Sequence, residues 1–301
     1  MRYLVIRTEK LTKTFHRQVG VEDIMLEVEP GEVFGVLGPQ DAGKTTLVRL
    51  LLDFIRPTSG RALVLGMDTH KHPVEIRKRV GFLPAHFSVY PLMTAEGMLR
   101  YLAGLRSGVE WQDACALAEQ FGLDLSRRLF AASGLERQKL GLVQAFMGKP
   151  DLLILDDPAQ NLDKPALNTF FRLVAHARNE GQVVFYTSDN VAEMERACDR
   201  VAILNDGRVL TVERGVHLRN RSLRQVEMRF ACPVGPELFQ GLSNLEDLRV
   251  EDNLVHCLVR GNPEPLIRLA SQLPIADFIC QHLSLEETFR RSYGVTAHAA
   301  L

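Results

Sequence analysis

Residues 38–45 read GPQDAGKT and fit the pattern G-x-x-x-x-G-K-[ST]. The apolar run EVFGVLG (32–38) leads into this turn, and the apolar-dense stretch TTLVRLLLDFI (45–55) leaves it. Strand, glycine-rich turn and helix in that order make a phosphate cradle. Successive backbone N–H groups curl around a β-phosphate, and the helix N-terminus adds about half a positive charge. Lys44 can reach the β- and γ-phosphates of a nucleoside triphosphate, and the Thr45 hydroxyl can ligate Mg²⁺. This places the cradle in an α/β domain.

A second element completes such a site. In LLILDD (152–157) four apolar residues form a buried strand that ends in two carboxylates. Asp156 is placed to meet the metal through water, and Asp157 to orient an attacking water. Between the two motifs, about 85–150, strands give way to helical patterns such as ACALAEQFGL (114–123) and LERQKLGLVQAFMG (135–148), read as a helical insertion. Ser133-Gly134 suits an N-cap and turn for the second of these. Strand patterns before the cradle (2–9, 22–29) and after it (61–66, 79–84, 182–188, 199–212) fill out a domain over 1–215. A polar, basic stretch at 216–222 reads as a linker. Residues 223–301 read as a small α/β accessory domain, strand–helix–strand–strand–helix–strand–helix.

Composition excludes some functions. With 36 basic against 37 acidic residues the chain shows no electrostatic footprint for nucleic acid. No apolar run reaches the ~20 residues needed to cross a bilayer, so any membrane part belongs to another chain. The five cysteines lack metal-ligand spacing and read as small buried side chains in a reducing compartment.

Taken in order, GPQDAGKTT (38–46), GFLPAHFSVY (81–90), ASGLERQKLGL (132–142), LLILDDP (152–158), AQNLD (159–163) and YTSDNVAEMERACDRVAIL (186–204) resemble the nucleotide-binding subunit of an ABC transporter. The tail LSLEETFRRSYG (283–294) resembles the subfamily that pairs with ABC-2-type permeases. The resemblance implies a P-loop domain of ABC type, with a mixed sheet, an antiparallel β subdomain and a helical subdomain. It implies ATP and Mg²⁺ as ligands, held by Gly38, Pro39, Gln40, Asp41, Ala42, Gly43, Lys44, Thr45 and Thr46, with Phe15 stacked on adenine. Ser133 and Gly134 would contact the γ-phosphate held by the opposite subunit of a head-to-tail homodimer or heterodimer. Asp163 would couple the two sites. The helical insertion, with Phe82 to Tyr90, would receive the coupling helices of an integral-membrane permease. That places the subunit on the cytoplasmic, inner face of the cell membrane.

Departures from the family pattern cluster on the chemistry. Asp41 replaces a glycine of the cradle, and a like charge at ~4 Å from phosphate costs about 4 kcal/mol at an effective dielectric near 20. Ala85 replaces a glutamine that bonds the metal or the attacking water. Leu135 and Glu136 replace the second glycine of the signature loop and its neighbour. Asp157 is one methylene shorter than the catalytic glutamate, and a displacement of about 1 Å can cost ~100-fold in rate. Asp189 puts an acceptor where a histidine donor contacts the γ-phosphate. The expectation is a subunit that binds ATP and hydrolyses it slowly; the alternative is a regulatory or assembly subunit without significant ATPase activity.

Overall fold

The computed structural model describes residues 3–16, 18–106, 108–215 and 223–283. The chain divides into two compact units, Met1–Arg214 and Gly215–Leu301. The linker expected at 216–222 and the tail motif beyond Leu283 lie outside the described residues.

The first unit is built on two sheets. Antiparallel strands β1 (Ile6–Phe15), β2 (Gln18–Ile24) and β3 (Glu27–Val28) come first, and β4 (Val33–Leu37) then enters a second sheet. Helix α1 (Lys44–Leu51) follows the glycine-rich turn. Strands β5 (Ser59–Val64) and β6 (Met67–Asp68) return to the antiparallel sheet, whose path is β2-β1-β5-β6 with β3 also on β1. Then come α2 (Pro73–Lys78) and β7 (Val80–Leu83). The helical part holds α3 (Ala95–Gly104), α4 (Trp111–Gln120) and α5 (Gly134–Phe146). The chain continues through β8 (Leu152–Asp156), α6 (Lys164–Asn179), β9 (Val183–Ser188), α7 (Val191–Ala197) and the hairpin β10 (Arg200–Asn205) and β11 (Arg208–Arg214).

The second sheet runs β11-β10-β4-β9-β8-β7. Only β11 is antiparallel to its neighbour; the rest pair in parallel. β4, β8 and β9 are buried at every residue, which explains why they read as unbroken apolar runs. One core joins the α1 residues Leu47, Val48 and Leu51 to Phe34, Ile154 and Phe185 of this sheet and to Ile6 and Leu11 of β1. Its consequence for function lies in one edge of the sheet. The carboxyl ends of four adjacent strands, β4, β9, β8 and β7, deliver the phosphate loop, Asp189, Asp157 and Ala85 to the same place, where open α/β sheets bind ligands.

In the second unit β12 (Leu223–Phe230), β13 (Leu245–Glu251), β14 (Leu254–Arg260) and β15 (Ile275–His282) form an antiparallel sheet in the order β13-β14-β12-β15. Helix α8 (Glu264–Ala270) packs Leu266 and Ala270 against Val226, Met228 and Val255.

Several expectations need correction. The first strand begins at Ile6 and runs on to Phe15 rather than ending near residue 9. The helix expected over 45–55 stops at Leu51, because Asp53 adopts a left-handed φ of 53° that no helix continues through. The first helix expected in the second unit is one 3-10 turn, Pro236–Phe239, and the last falls outside the described residues. Of the cysteines only Cys198 and Cys257 are buried; Cys115 is half-buried, while Cys232 and Cys280 are exposed.

Candidate nucleotide site

The cradle starts where β4 ends. Gly38 lies against the Leu204 carbonyl and Gly43, at φ 103°, against the Gly20 carbonyl, so a Cβ at either position would collide with backbone. Both glycines are therefore steric requirements of the turn. Asp41 also sits at positive φ, 63°, which aspartate tolerates. Its side chain is exposed, so water screens its charge, and the repulsion from phosphate falls from the expected ~4 kcal/mol towards about 1 kcal/mol.

Hydrogen bonds fix the loop on three sides. The Gly38 N–H donates to the Ser188 carbonyl (3.3 Å), the Gly207 N–H to the Ala42 carbonyl (3.0 Å), and the Ala42 N–H to the Pro39 carbonyl (3.3 Å). Lys44 is only 7% exposed, and its Nζ donates to the carbonyls of Gly38 (2.7 Å) and Pro39 (2.9 Å). The ammonium is held inside the loop, aligned with the phosphates it would meet.

A cleft of about 740 Å³ opens in front of this loop. Among the expected residues, Phe15, Gln40, Asp41, Gly43, Lys44, Thr45, Thr46 and Asp157 line it, as do Ala85 and Asp189 at the altered positions. Gly38, Pro39 and Ala42 form the back of the loop. Phe15 is 41% exposed, and the Lys13 ammonium stands 5.2 Å from its ring centroid. An exposed ring at the cleft wall is available for stacking on a flat base.

Asp156 lies behind the cleft, 1% exposed, where its Oδ1 accepts from the Thr187 hydroxyl at 2.6 Å. The same hydroxyl accepts from the Asp157 N–H at 3.1 Å. Burial pushes the Asp157 carboxyl up to about 6; Asp156 and Asp189 add to the rise, while Lys44 and His86 oppose it. Glu193 on α7 is pushed by burial to about 7, although the Ser188 hydroxyl donates to it. Of these two carboxyls only Asp157 lines the cleft, so the end that would face a γ-phosphate carries one carboxyl with reluctant charge.

Ser133 and Gly134 are not brought to the chain's own cradle. Ser133 is the N-cap of α5 and closes a capping box: its Oγ accepts from the Glu136 N–H, and Glu136 Oε2 accepts from the Ser133 N–H and Oγ. Arg127 pairs with Glu136 at 2.6 Å. Leu135 does not disturb this cap. Gly134 lines a separate hollow of about 460 Å³ with Arg137 and Gln138. Asp163 caps α6, its Oδ1 accepting from the Ala166 N–H at 2.9 Å.

The sequence reading overlooked Gln18, Val19, Gly20, His86 and Gln160, all of which line the cleft. His86 lies within GFLPAHFSVY (81–90) and Gln160 within AQNLD (159–163), and that placement was the available signal. Trp111 stacks with the Arg100 guanidinium, which stands 4.0 Å from its ring centroid.

The residues fit a nucleoside triphosphate with Mg²⁺. The cradle is a backbone shape that a Cβ would fill, Lys44 and Thr45 line the cleft, and Asp156 is a buried carboxylate at the end of β8, next in the chain to the cleft-lining Asp157. Among the described residues no three His, Cys, Asp or Glu side chains gather as a metal site. A bound Mg²⁺ would therefore take its other ligands from phosphate and water, as is usual for this ion.

Comparison with known proteins agrees with this geometry. The sequence model of the ABC transporter family matches residues 21–160. NatA of Bacillus subtilis (strain 168), an ABC transporter ATP-binding protein, is 32% identical over 197 residues, covering 63% of this chain and 80% of NatA. The chain belongs to the ABC transporter family. Within it, the uncharacterized ABC transporter ATP-binding protein YhcH of the same organism is 26% identical over 298 residues, 97% of each chain. A solved ATP-binding subunit of an ABC transporter superposes with a TM-score of 0.67 at 25% identity, over 72% of this chain and 92% of that one. The fold is that of ABC nucleotide-binding domains, and the chain is an ATP-binding subunit of this family. Among the described residues no helix is long and apolar enough to cross a membrane.

Proposed function

We propose that the chain works on the cytoplasmic face of the membrane as half of a head-to-tail ATP-binding dimer. It binds ATP with Mg²⁺, hydrolyses it slowly, and passes the resulting closure to an ABC-2-type permease. The carrying observation is the cleft itself, in which an intact Gly38–Thr45 cradle faces Ala85, Asp157 and Asp189. Lys44, Thr45 and Asp156 retain what binding needs, while the groups around the γ-phosphate are shortened, deleted or reversed in hydrogen-bonding sense. Mg²⁺, which Thr45 and, through water, Asp156 would hold, would supply neutralisation of phosphate charge. Phe15 stacks on the adenine, and Ser133 with Gly134 serves the nucleotide of the partner subunit.

Support for the permease comes from an apolar groove of about 520 Å³, lined by Leu52, Phe54, Phe82, Leu102, Leu105 and Met147. Basic Arg77, Lys78 and Arg106 stand at the same groove. An amphipathic cytoplasmic helix of a membrane protein fits this mixture. Residues 223–301 act as an accessory domain for dimer contacts or regulation. A second reading, a nucleotide-dependent regulator without ATPase activity, is favoured by Ala85 and Asp189 alone.

Turnover by the purified chain, with and without a co-expressed permease, decides between them. Slow turnover that rises roughly ten-fold or more in the double variant Asp157→Glu with Asp189→His supports the impaired transporter subunit. Turnover at the rate of a fully equipped cassette in the unaltered chain, or no gain from the double variant, counts against it.

A further inference from the structure

Two side chains that lie within recognised motifs, at positions given no role of their own, face the nucleotide cleft with donor chemistry. His86 follows Ala85 off the end of β7, and Gln160 follows Asp157 off the end of β8. Gln160 is fixed by a turn in which its N–H donates to the Asp157 carbonyl at 3.2 Å. The neighbouring Pro158 carbonyl accepts from the buried amide of Gln138 on α5 at 2.9 Å, which anchors the turn to the helical part. His86 is close enough to Asp157 for its charge to oppose the upward shift of that carboxyl. Both side chains are exposed, and both also line the hollow beside Gly134, so they form the wall between the cradle and the signature helix.

The charge balance calls for such donors. Asp41, Asp157 and Asp189 line the cleft with Lys44 as the cation inside the loop. A γ-phosphate adds negative charge and acceptor oxygens to that set, and carboxylates offer it nothing. An amide and an imidazole are also the two chemistries that Ala85 and Asp189 displace. They re-enter the cleft one residue after Ala85 and three after Asp157.

We propose that His86 and Gln160 read the γ-phosphate of the bound nucleotide, taking over from positions 85 and 189 the donors that distinguish a triphosphate from a diphosphate. This rests on the reading of Gly38–Thr45 as a nucleotide cradle. In the closed dimer the same pair would report the state of the γ-phosphate to the signature helix along the wall they share with Gly134.

The test compares affinities of the full chain for ADP and for the non-hydrolysable triphosphate AMP-PNP, each with Mg²⁺, by calorimetry. His86→Ala and Gln160→Ala should each weaken AMP-PNP about ten-fold or more, the scale of one charge-assisted hydrogen bond, and leave ADP unchanged. His86→Gln and Gln160→His, which keep a donor at each place, should retain most of the preference. Alanine variants that keep the wild-type AMP-PNP to ADP ratio, or that lose both ligands equally while the donor-keeping variants do not rescue, would overturn the assignment. If the unaltered chain binds neither nucleotide, the cradle reading fails and this inference with it; if it binds both and the variants do not discriminate, only the inference fails.

Discussion

The Thr187 hydroxyl donates a 2.6 Å hydrogen bond to Oδ1 of Asp156, a carboxylate that is 1% exposed. Thr187 is itself fully buried, and its oxygen also accepts the Asp157 N–H, so one hydroxyl ties the Asp156 carboxylate to the backbone of Asp157. Thr187→Val keeps the shape but leaves both partners unsatisfied in a dry environment. Stability should fall by ~2–3 kcal/mol, with Mg²⁺-dependent ATP binding weakened as well. Thr187→Ser should restore most of both, as read by thermal melts and calorimetry.

Glu193 supplies a pH signature. Its folded value, about 7, lies above the reference 4.5. The folded state therefore holds the proton more tightly than the unfolded state. Its contribution to stability is complete below about pH 4.5 and is lost as pH rises through about 7. Glu193→Gln should add ~1–3 kcal/mol at pH 8 and close to nothing at pH 4, measured as denaturant midpoints at the two pH values.

The two glycine positions at 31 and 43 separate conformation from crowding. Gly31, at φ 68°, has open space around it, whereas Gly43 meets the Gly20 carbonyl. Gly31→Ala should cost only the ~1 kcal/mol of an unfavourable φ. Gly43→Ala should displace the phosphate loop and weaken ATP at least ~10-fold, since both strain and collision act on the cradle.

Leu105 is 66% exposed yet lines the apolar groove. Leu105→Glu should leave ATP binding by the isolated chain unchanged, because the groove shares no residue with the nucleotide cleft. Co-purification with the permease should drop several-fold. A variant that pulls down the permease as well as the unaltered chain does would remove the groove from the interface.

Legibility from sequence followed the range of the forces. The cradle at Gly38–Thr45 was readable because each residue answers a local backbone demand: φ at Gly43 and Asp41, close approach at Gly38. The buried strands β4, β8 and β9 were readable as apolar runs. The order β10-β4-β9-β8-β7 was not, since neighbours in a parallel sheet are chosen by crossovers rather than by adjacent residues. His86 and Gln160 stayed hidden for the same reason: each is an ordinary polar surface residue until the sheet carries it to the cradle. The left-handed Asp53 that stops α1 was missed because aspartate also occurs inside helices, and only its φ tells the difference.

The position of β4 between β9 and β10 has a consequence in time as well as space. Both flanking strands are made from residues beyond Gln182, and the turn at Gly207 that holds the Ala42 carbonyl comes later still. At roughly 5–20 residues per second of synthesis, the phosphate loop waits on the order of ten seconds on the ribosome without its neighbours. A nascent chain therefore carries the nucleotide motif well before the strands and the turn that hold it in place.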